Sequence, residues 1–517
     1  MKETQMRRKP FLLIILMIAA LSLLAGGCGG GAVQPPAVAI NFADPILEAA
    51  VRNAAGYTGQ PTGPIYPADV LGITVLEVDS PYWQVDRDGK GDRDSEPKWE
   101  RSEHLILLKN EERHRRFGKR EAENEPSTRG EGGLVSLEGI QHLTNLDRLS
   151  FRNNQVSSLT PLQNLTNLEW LYFDNNQVSN LTPLQNLTNL EWLSFDNNQV
   201  SSLIPLQNLT NLQYLDFSDN QVSSLTPLQN LTNLRELYFS NNQVSNLTPL
   251  QNLTNLNSLS YWNNQVSSLT PLQNLTNLQG LGFVNNQVSS LTPLQNLTNL
   301  QRLDFSNNQV SSLTPLQNLT NLRELYFVDN QVSDITLLQN LTNLQYLYFS
   351  YNQVSDITPL QNLTNLRNLV FFMNQVSNLS PLQYLTNLQL LSFAYNDVSD
   401  LLPLQTLRNL QELYFGYNEV SNIMPLQNLA NLRELSFFNN QVSDITPLQN
   451  LENLRYLSFN SNQVSDITPL VNNLGIGDGD TVDMRYNNLD LTPGSQDMAN
   501  IDTLISRGCE VDYNPQN

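Results

Sequence analysis

The side chain that recurs most regularly in this chain is the carboxamide of asparagine. A carboxamide donates two hydrogen bonds through its nitrogen and accepts others at its oxygen, so it can satisfy backbone groups that a turn leaves buried. We therefore predict a structural hydrogen-bond ladder along these asparagines. They stand 22 residues apart at Asn154, Asn176, Asn198, Asn220, Asn242, Asn264, Asn286, Asn308, Asn330, Asn352, Asn374, Asn396, Asn418, Asn440 and Asn462.

Residue types that carry out catalysis are scarce in this chain. His142 is the single histidine within the repeated region, and His104 and His114 lie in a charged segment before it. The sequence contains no nucleophile elbow, no phosphate-binding loop and no paired metal ligands. We therefore predict a protein that is not an enzyme and that needs neither a metal ion nor a cofactor.

One segment, Asp86 to Asp94, carries alternating carboxylates around Gly91, as calcium-binding loops do. Lys90 stands where such a loop has a ligand, and Pro97 stands where it has its bidentate glutamate. A solvated run of charges is therefore the favoured interpretation of this segment.

Each 22-residue unit carries the pattern of one short strand followed by a turn. In one unit Leu171 and Phe173 alternate with Trp170 and Tyr172, which is the period of two that a strand with one buried face shows. Strands of successive units would pair in parallel, and Pro183 with its equivalents would keep the opposite wall extended or in tight turns. Because one unit cannot bury its own apolar face, we predict a solenoid stabilised by stacking.

Aromatic and arginine side chains recur at the strand positions that face away from the interior. Exposed Trp, Tyr and Arg contribute most of the binding free energy at protein interfaces. Repeat duplication is the alternative explanation, since "RELYF" occurs at both Arg235 and Arg323. We predict that the following residues are exposed and bind a partner: Arg148, Arg152, Trp170, Tyr172, Trp192, Tyr214, Tyr238, Trp262, Tyr326, Tyr346, Tyr348, Phe372, Tyr414, Phe438 and Tyr456.

The repeat Leu-x-x-Leu-x-Phe-x-x-Asn-x-Val-x-x-Leu-x-Pro-Leu-x-x-Leu-x-x resembles the 22-residue leucine-rich repeat of bacterial internalin-like proteins. "DPILEAAVRNAAG" is similar to the helical cap of that family, and "GDTVDMRYNNLDL" and "RGCEVDY" are similar to its closing segment. The resemblance implies an α/β-type horseshoe, a leucine-rich-repeat solenoid with a helical N-terminal cap. Its parallel strands would line the concave side, and extended or 3-10 turns would form the convex side. The resemblance also implies that the concave face binds other macromolecules.

Changes in composition divide the chain into six segments. The first has a basic start, an apolar run and small residues before Cys28, and it resembles the signal of bacterial lipoproteins, in which the cysteine is lipidated; an ordinary cleaved signal is the alternative. The other cysteine, Cys509, is expected to be buried in the last strand. We predict a lipoprotein signal peptide at 1–27, a flexible tether at 28–40, a helical cap at 41–79, a charged, disordered insertion at 80–132, about 15 repeats at 133–473 and a C-terminal cap at 474–517.

The charge balance of the chain is acidic. The formal net charge is −21, and residues 134–473 hold nine arginines, no lysine and 22 carboxylates. An acidic field repels phosphate backbones, so nucleic acid is not expected as a partner, whereas a basic protein ligand would be attracted.

Together these features predict a protein that is anchored to the membrane through a lipid on Cys28 and exposed at the cell surface or in the periplasm. It would bind a protein partner across its concave sheet. Two alternatives stay open, namely binding of a glycan by the aromatic rows and an architectural spacer without a ligand.

Overall fold

The computed structural model describes residues 38–57, 63–79 and 133–517. Within these ranges the chain forms one sheet of 18 strands, in which each strand pairs in parallel with the next one along the chain. The predicted leucine-rich-repeat solenoid is therefore confirmed. The strands, numbered β1 to β18 in chain order, are Val75–Glu77, Arg148–Ser150, Trp170–Tyr172, Trp192–Ser194, Tyr214–Asp216, Glu236–Tyr238, Ser258–Ser260, Gly280–Gly282, Arg302–Asp304, Glu324–Tyr326, Tyr346–Tyr348, Asn368–Val370, Leu390–Ser392, Glu412–Tyr414, Glu434–Ser436, Tyr456–Ser458, Thr481–Asp483 and Glu510–Asp512.

Several predictions made from the sequence lie outside the described residues. They concern the signal peptide at 1–27, the lipidation of Cys28, most of the tether, the charged insertion at 80–132 and the segment Asp86 to Asp94. These remain expectations.

The wall opposite the sheet consists of short 3-10 helices, as predicted. Most contain the sequence Thr-Pro-Leu, in which proline fixes φ within the range of a 3-10 turn and lacks an N–H that the turn would leave unpaired. The 3-10 helices in the described part of the chain are Pro67–Val70, Ile140–His142, Thr160–Leu162, Thr182–Leu184, Ile204–Leu206, Thr226–Leu228, Thr248–Leu250, Thr270–Leu272, Thr292–Leu294, Thr314–Leu316, Thr336–Asn340, Thr358–Asn362, Ser380–Tyr384, Leu402–Thr406, Met424–Leu426 and Thr446–Asn450.

Leucine, valine and phenylalanine side chains fill the space between the sheet and the 3-10 wall. In one coil Leu171, Phe173, Val178 and Leu181 are almost completely buried, and the same positions are buried along the array. One aromatic ring per coil stacks on the next from Phe151 to Phe459, with centroids 5.2 to 6.0 Å apart. Each coil therefore buries its apolar side chains against its two neighbours.

Ring spacing differs between the two faces of the sheet. On the outward face the centroids of Trp170 and Trp192 are 4.9 Å apart, whereas the inward rings Phe173 and Phe195 of the same two coils are 5.5 Å apart. Trp192 and Tyr214 are likewise closer, at 5.1 Å, than the inward rings beneath them, at 6.0 Å. At these coils the spacing is therefore smaller on the outward face of the sheet than in the core, as expected when the sheet lines the concave side of the solenoid.

In the described part of the chain, three α-helices lie at the ends of the array, at Pro45–Ala54, Thr468–Asn472 and Gln496–Ser506. Asp44 caps the first of them, because its Oδ1 accepts a hydrogen bond from the N–H of Ile46 at 2.9 Å. The Oδ2 atom of Asp44 accepts from the N–H of Val135 at 2.8 Å, which ties the helix to the first coil. No helix within the described ranges is long and apolar enough to cross a membrane.

The C-terminal end of the sheet closes with β17, the helix Gln496–Ser506 and β18. Cys509 is buried, as expected, but it lies directly before the last strand β18 and not within it, and burial raises the pKa of its thiol to about 11. Its thiol therefore stays protonated near neutral pH and packs as a small apolar group.

Candidate binding surface

The predicted asparagine ladder lies in the turn that follows each strand. The Nδ2 atom of Asn176 donates to the carbonyl oxygens of Phe151 in the preceding coil and Phe173 in its own coil, both at 3.0 Å. Its Oδ1 atom accepts from the N–H of Val156 at 3.0 Å. Equivalent bonds occur at both ends of the column, at Asn154 and Asn462. Each carboxamide thus joins two coils and has no polar atom directed at a ligand.

Four of the predicted binding residues form a single stack on the outward face of the sheet, here called the N-terminal ring column. It consists of Arg148, Trp170, Trp192 and Tyr214. The guanidinium carbon of Arg148 lies 4.3 Å from the centroid of the Trp170 ring, and the three rings stack at 4.9 and 5.1 Å. Because the rings cover one another's faces, they present their edges to solvent. Burial also raises the pKa of Tyr214 well above its ordinary value, so its hydroxyl stays neutral.

Arg152 and Tyr172 are held by a charged network beside this column. The Nε atom of Arg152 lies 2.7 Å from Oδ2 of Asp174, and its guanidinium lies 4.3 Å from the centroid of the Tyr172 ring. The other carboxylate oxygen of Asp174 accepts from the Ser194 hydroxyl at 2.5 Å. Burial raises the pKa of Tyr172 to about 12. The Arg152 side chain is therefore held in one conformation before any partner binds.

The prediction that all fifteen side chains are exposed is wrong for six of them. Arg148 is exposed, and Arg152, Trp170, Tyr172, Trp192, Tyr214, Trp262, Tyr346 and Tyr456 are partly exposed. The six buried residues have exposed fractions of 2 to 5%: Tyr238, Tyr326, Tyr348, Phe372, Tyr414 and Phe438. Side chains on adjacent strands are about 4.8 Å apart, so a large ring on one strand covers its neighbour.

Some of these rings lie flat against the sheet because the neighbouring coil has a glycine beneath them. The Phe438 ring occupies the space in which a Cβ atom on Gly416 would stand. Trp262 lies over Gly282 in the same way, since a Cβ there would be 2.8 Å from its Nε1. A tyrosine can instead be buried with its hydroxyl bonded, as at Tyr414, which donates to the carboxylate of Glu434.

Several of the buried side chains belong to a second apolar cluster that is separate from the main core and lies on the outward face of the sheet. We call it the C-terminal apolar patch. Its buried members are Tyr326, Tyr348, Val370, Phe372, Leu390 and Ala394, and Val328, Tyr346, Met373 and Tyr395 pack against them. The partly buried members of this patch reach the solvent side of the sheet, where a contiguous apolar surface marks a candidate interaction site.

The chain matches two families of repeat proteins. The family described as a leucine-rich repeat region matches residues 261–469, and that of leucine-rich repeats in two copies matches residues 144–186, 188–230 and 210–252. Among solved structures, an internalin (inlF) from Listeria monocytogenes is 31% identical with a TM-score of 0.61, and the match covers 72% of this chain and 95% of that chain. This chain belongs to the internalin-like leucine-rich-repeat proteins.

Two further structures share the fold of this internalin-like protein. A leucine-rich-repeat protein of Leptospira interrogans has a TM-score of 0.66 at 24% identity, over 74% of this chain and 99% of that chain. The plant peptide hormone receptor RGFR1, in complex with RGF2, has a TM-score of 0.58 at 21% identity, over 73% and 71%. No curated protein matches the chain.

The internalin-like repeat contains a second asparagine column that the sequence reasoning overlooked. The residue before each ladder asparagine has a positive φ, and in most coils it is asparagine or aspartate, the residue types that tolerate the left-handed region. Four consecutive coils depart from this rule with Tyr351, Met373, Tyr395 and Tyr417, at φ of 50 to 54°, and Ser461 and Tyr486 depart from it nearer the C-terminus. The loss of the repeated asparagine at these positions was the available signal.

These four left-handed residues of the internalin-like protein line the C-terminal apolar patch. Tyr351 is 41% exposed and meets Phe372 edge to face at 5.2 Å. Tyr395 and Tyr417 stack at 4.0 Å, and Tyr417 meets Phe438 edge to face at 5.3 Å. They therefore extend the patch from its buried floor to the solvent. Among the described residues, no group of three or more His, Cys, Asp or Glu could hold a metal ion.

Proposed function

We propose that this leucine-rich-repeat protein is exported, lipid-anchored through Cys28 and exposed at the cell surface or in the periplasm. There it binds a protein partner on the outward face of its sheet, with the C-terminal apolar patch as the main contact. The observation that carries the proposal is the run of tyrosine and methionine at the left-handed positions of four consecutive coils.

The backbone gives a reason to regard this run as selected for contact. A left-handed conformation costs an ordinary L-residue roughly 1 to 2 kcal/mol, whereas asparagine adopts it more easily. Asparagines at this position also bond to one another, as Asn175 does with Asn153 at 2.7 Å. Replacing them by Tyr351, Tyr395 and Tyr417 gives up both advantages. Aromatic anchors at a protein interface are a gain that offsets this loss.

Charge supports a basic partner. Glu412 and Glu434 begin β14 and β15, beyond one side of the patch, and Glu324 begins β10, the strand of Tyr326, where it lies 3.2 Å from the guanidinium of Arg302. An acidic surface of this kind accelerates the approach of a positively charged protein. One structure of the same fold, the plant peptide hormone receptor RGFR1, is in complex with RGF2.

The two alternative functions have less support. Binding of a glycan by the aromatic rows needs free ring faces, and the rings of the N-terminal ring column cover one another. A spacer without a ligand gives no reason to place tyrosine at left-handed positions.

The decisive experiment replaces the three tyrosines by the residue of the repeat consensus, as Tyr351→Asn, Tyr395→Asn and Tyr417→Asn together. We expect binding of the partner to be lost while the melting temperature stays within a few degrees, because asparagine relieves backbone strain as ring contacts are removed. The partner is captured from the native environment by the wild-type chain with cross-linking, and its affinity for each purified variant is then measured.

The matched comparison is the triple variant Trp170→Ala, Trp192→Ala and Tyr214→Ala in the N-terminal ring column. It is expected to keep most of the affinity if the patch is the main contact. Binding that survives the tyrosine triple but not the tryptophan triple would move the binding site to the N-terminal ring column. Binding that survives both would refute the sheet face as the interface.

A further inference from the structure

A polar groove of about 620 Å³ runs along the edge of the sheet where the strands begin. It is separate from the C-terminal apolar patch. Two rows of side chains form its walls, and every coil adds one residue to each row. Asn233 and Asn255 belong to the first row, and Gln213, Asn257 and Gln279 belong to the second, each directly before a strand.

The asparagines of the first row are held in one orientation. The Nδ2 atom of Asn233 donates to the carbonyl oxygen of Thr210 at 2.9 Å, and that of Asn255 donates to Thr232 at 2.8 Å. A carboxamide has a second N–H and a carbonyl oxygen beyond this bond. Because these side chains are exposed, each coil presents one donor and one acceptor in a fixed direction.

The groove is shaped by small residues as well as by its polar walls. Ser258 and Gly280 follow Asn257 and Gln279 directly and begin β7 and β8. The equivalent position holds a tryptophan, a tyrosine, a glutamate or an arginine in β3 to β6 and in β9. The side chains on the sheet beside the groove are therefore short at this point, and a ligand can enter the groove from the outward face.

We propose that this groove binds an uncharged linear polysaccharide, with about one sugar unit for each coil. Hydroxyl groups both donate and accept hydrogen bonds, which matches a row of carboxamides. The coils repeat every ~4.8 Å along the sheet, close to the rise of one unit in an extended β-1,4-linked chain, whereas an extended peptide advances only ~3.3 Å per residue and would fall out of step.

Charge in the groove also favours a neutral ligand. Its lining contains one cation, Arg235, and one anion, Glu191, among otherwise uncharged carboxamides. A polyanion such as a nucleic acid needs a surplus of cations, and a basic peptide needs a surplus of carboxylates.

The test is calorimetric titration of the whole chain with β-1,4-linked glucose oligomers and with N-acetylglucosamine oligomers of increasing length. At least one series is expected to bind, with an affinity that rises until the oligomer spans the groove. The triple variant Gln213→Ala, Asn257→Ala and Gln279→Ala is expected to weaken that binding by roughly tenfold or more, because several hydrogen bonds are lost.

The matched control carries Gln345→Ala, Gln389→Ala and Gln411→Ala, at the same repeat position in coils outside the groove, and is expected to bind like the wild type. Failure of both oligomer series to bind at millimolar concentration would overturn the inference, as would an equal loss in the two triple variants. The inference does not depend on the protein partner, because the Tyr351, Tyr395 and Tyr417 variant should bind the sugar unchanged.

Discussion

At the scale of single residues, two neighbouring asparagines in each turn have different roles. The ladder asparagine is buried and bonds to backbone atoms of two coils, so its replacement would leave several polar groups unpaired. The asparagine before it, as at Asn153 and Asn175, serves a left-handed backbone and is accessible to solvent. Substitutions are therefore tolerated at the left-handed position before the ladder asparagine. The tyrosines that line the C-terminal apolar patch occupy this left-handed position.

Tyr261 gives a prediction at this scale. It takes the place of phenylalanine in the buried ring column, stacks on Phe239 and Phe283, and its hydroxyl makes no hydrogen bond to any described residue. A buried polar group without a partner costs about 1 to 3 kcal/mol. We expect Tyr261→Phe to raise the free energy of unfolding by about 1 kcal/mol, measured by chemical denaturation.

The control for this substitution is Tyr172→Phe, whose parent hydroxyl lies on the partly exposed outward face. Its effect should be within about 0.5 kcal/mol, as for most surface changes. A destabilised Tyr261→Phe variant would show that the hydroxyl has a partner, such as a buried water.

At the scale of the elements, many of the 3-10 helices are capped by the side chain two residues before their first residue. In some coils this residue is asparagine, as at Asn180, whose Oδ1 accepts from the N–H of Thr182 at 2.9 Å. In others it is aspartate, as at Asp334, whose Oδ1 accepts from the N–H of Thr336 at 2.8 Å. Hydrogen bonds from the hydroxyl and the N–H of the threonine lower the pKa of Asp334 from its ordinary value of 3.8.

This capping makes stability depend on pH. The pKa values of Asp334, Asp356 and Asp444 are all lowered by the same hydrogen bonds, so the folded state favours the charged carboxylate. Their contribution is present above the unfolded pKa of about 4 and is lost as the pH falls through the lower folded pKa. Replacing all three by asparagine, which caps without titrating, should reduce the loss of stability between pH 5 and pH 2 in thermal unfolding. Equal slopes for variant and wild type would contradict this.

The strand and turn of each coil could be predicted from one unit of sequence, but the burial of its outward side chains could not. Alternation with a period of two tells which face of a strand a residue lies on. Whether a ring on the outward face is covered depends on residues 22 positions away, such as Gly416 beneath Phe438. For this reason Tyr238 and Tyr414 were wrongly predicted to be exposed. The left-handed tyrosines were overlooked because the sign of φ depends on the geometry of the turn, which the alternation of residues along a strand does not reveal.

At the scale of the whole molecule, the strict period made the fold predictable, because every strand has its counterpart at the next repeat. The polar groove could not be predicted in this way. It arises where two rows of side chains meet a stretch of small residues, and only the stacked coils bring Gln213, Asn257 and Gln279 side by side. A binding surface on a solenoid therefore combines residues from several coils, and its stability depends on the packing of each coil against its neighbours.

Membrane attachment also belongs to this scale. Lipid chains on Cys28 would bind the membrane by about 0.8 kcal/mol for each buried methylene group. We expect Cys28→Ala to move the full chain from the membrane fraction to the released fraction, and mass spectrometry of the N-terminal peptide to show an acyl group only in the wild type. An ordinary cleaved signal would give the same distribution for both proteins and no acyl group.

The in-register pairing of every strand from β2 to β16 with a residue 22 positions away has an evolutionary consequence. Recombination between near-identical repeats would add or delete a whole coil and rejoin each hydrogen bond to an equivalent partner. Each added or deleted coil would change the length of the array by ~4.8 Å. Gain or loss of coils between the N-terminal ring column and the C-terminal apolar patch would change the distance between these two surfaces and would leave each of them intact.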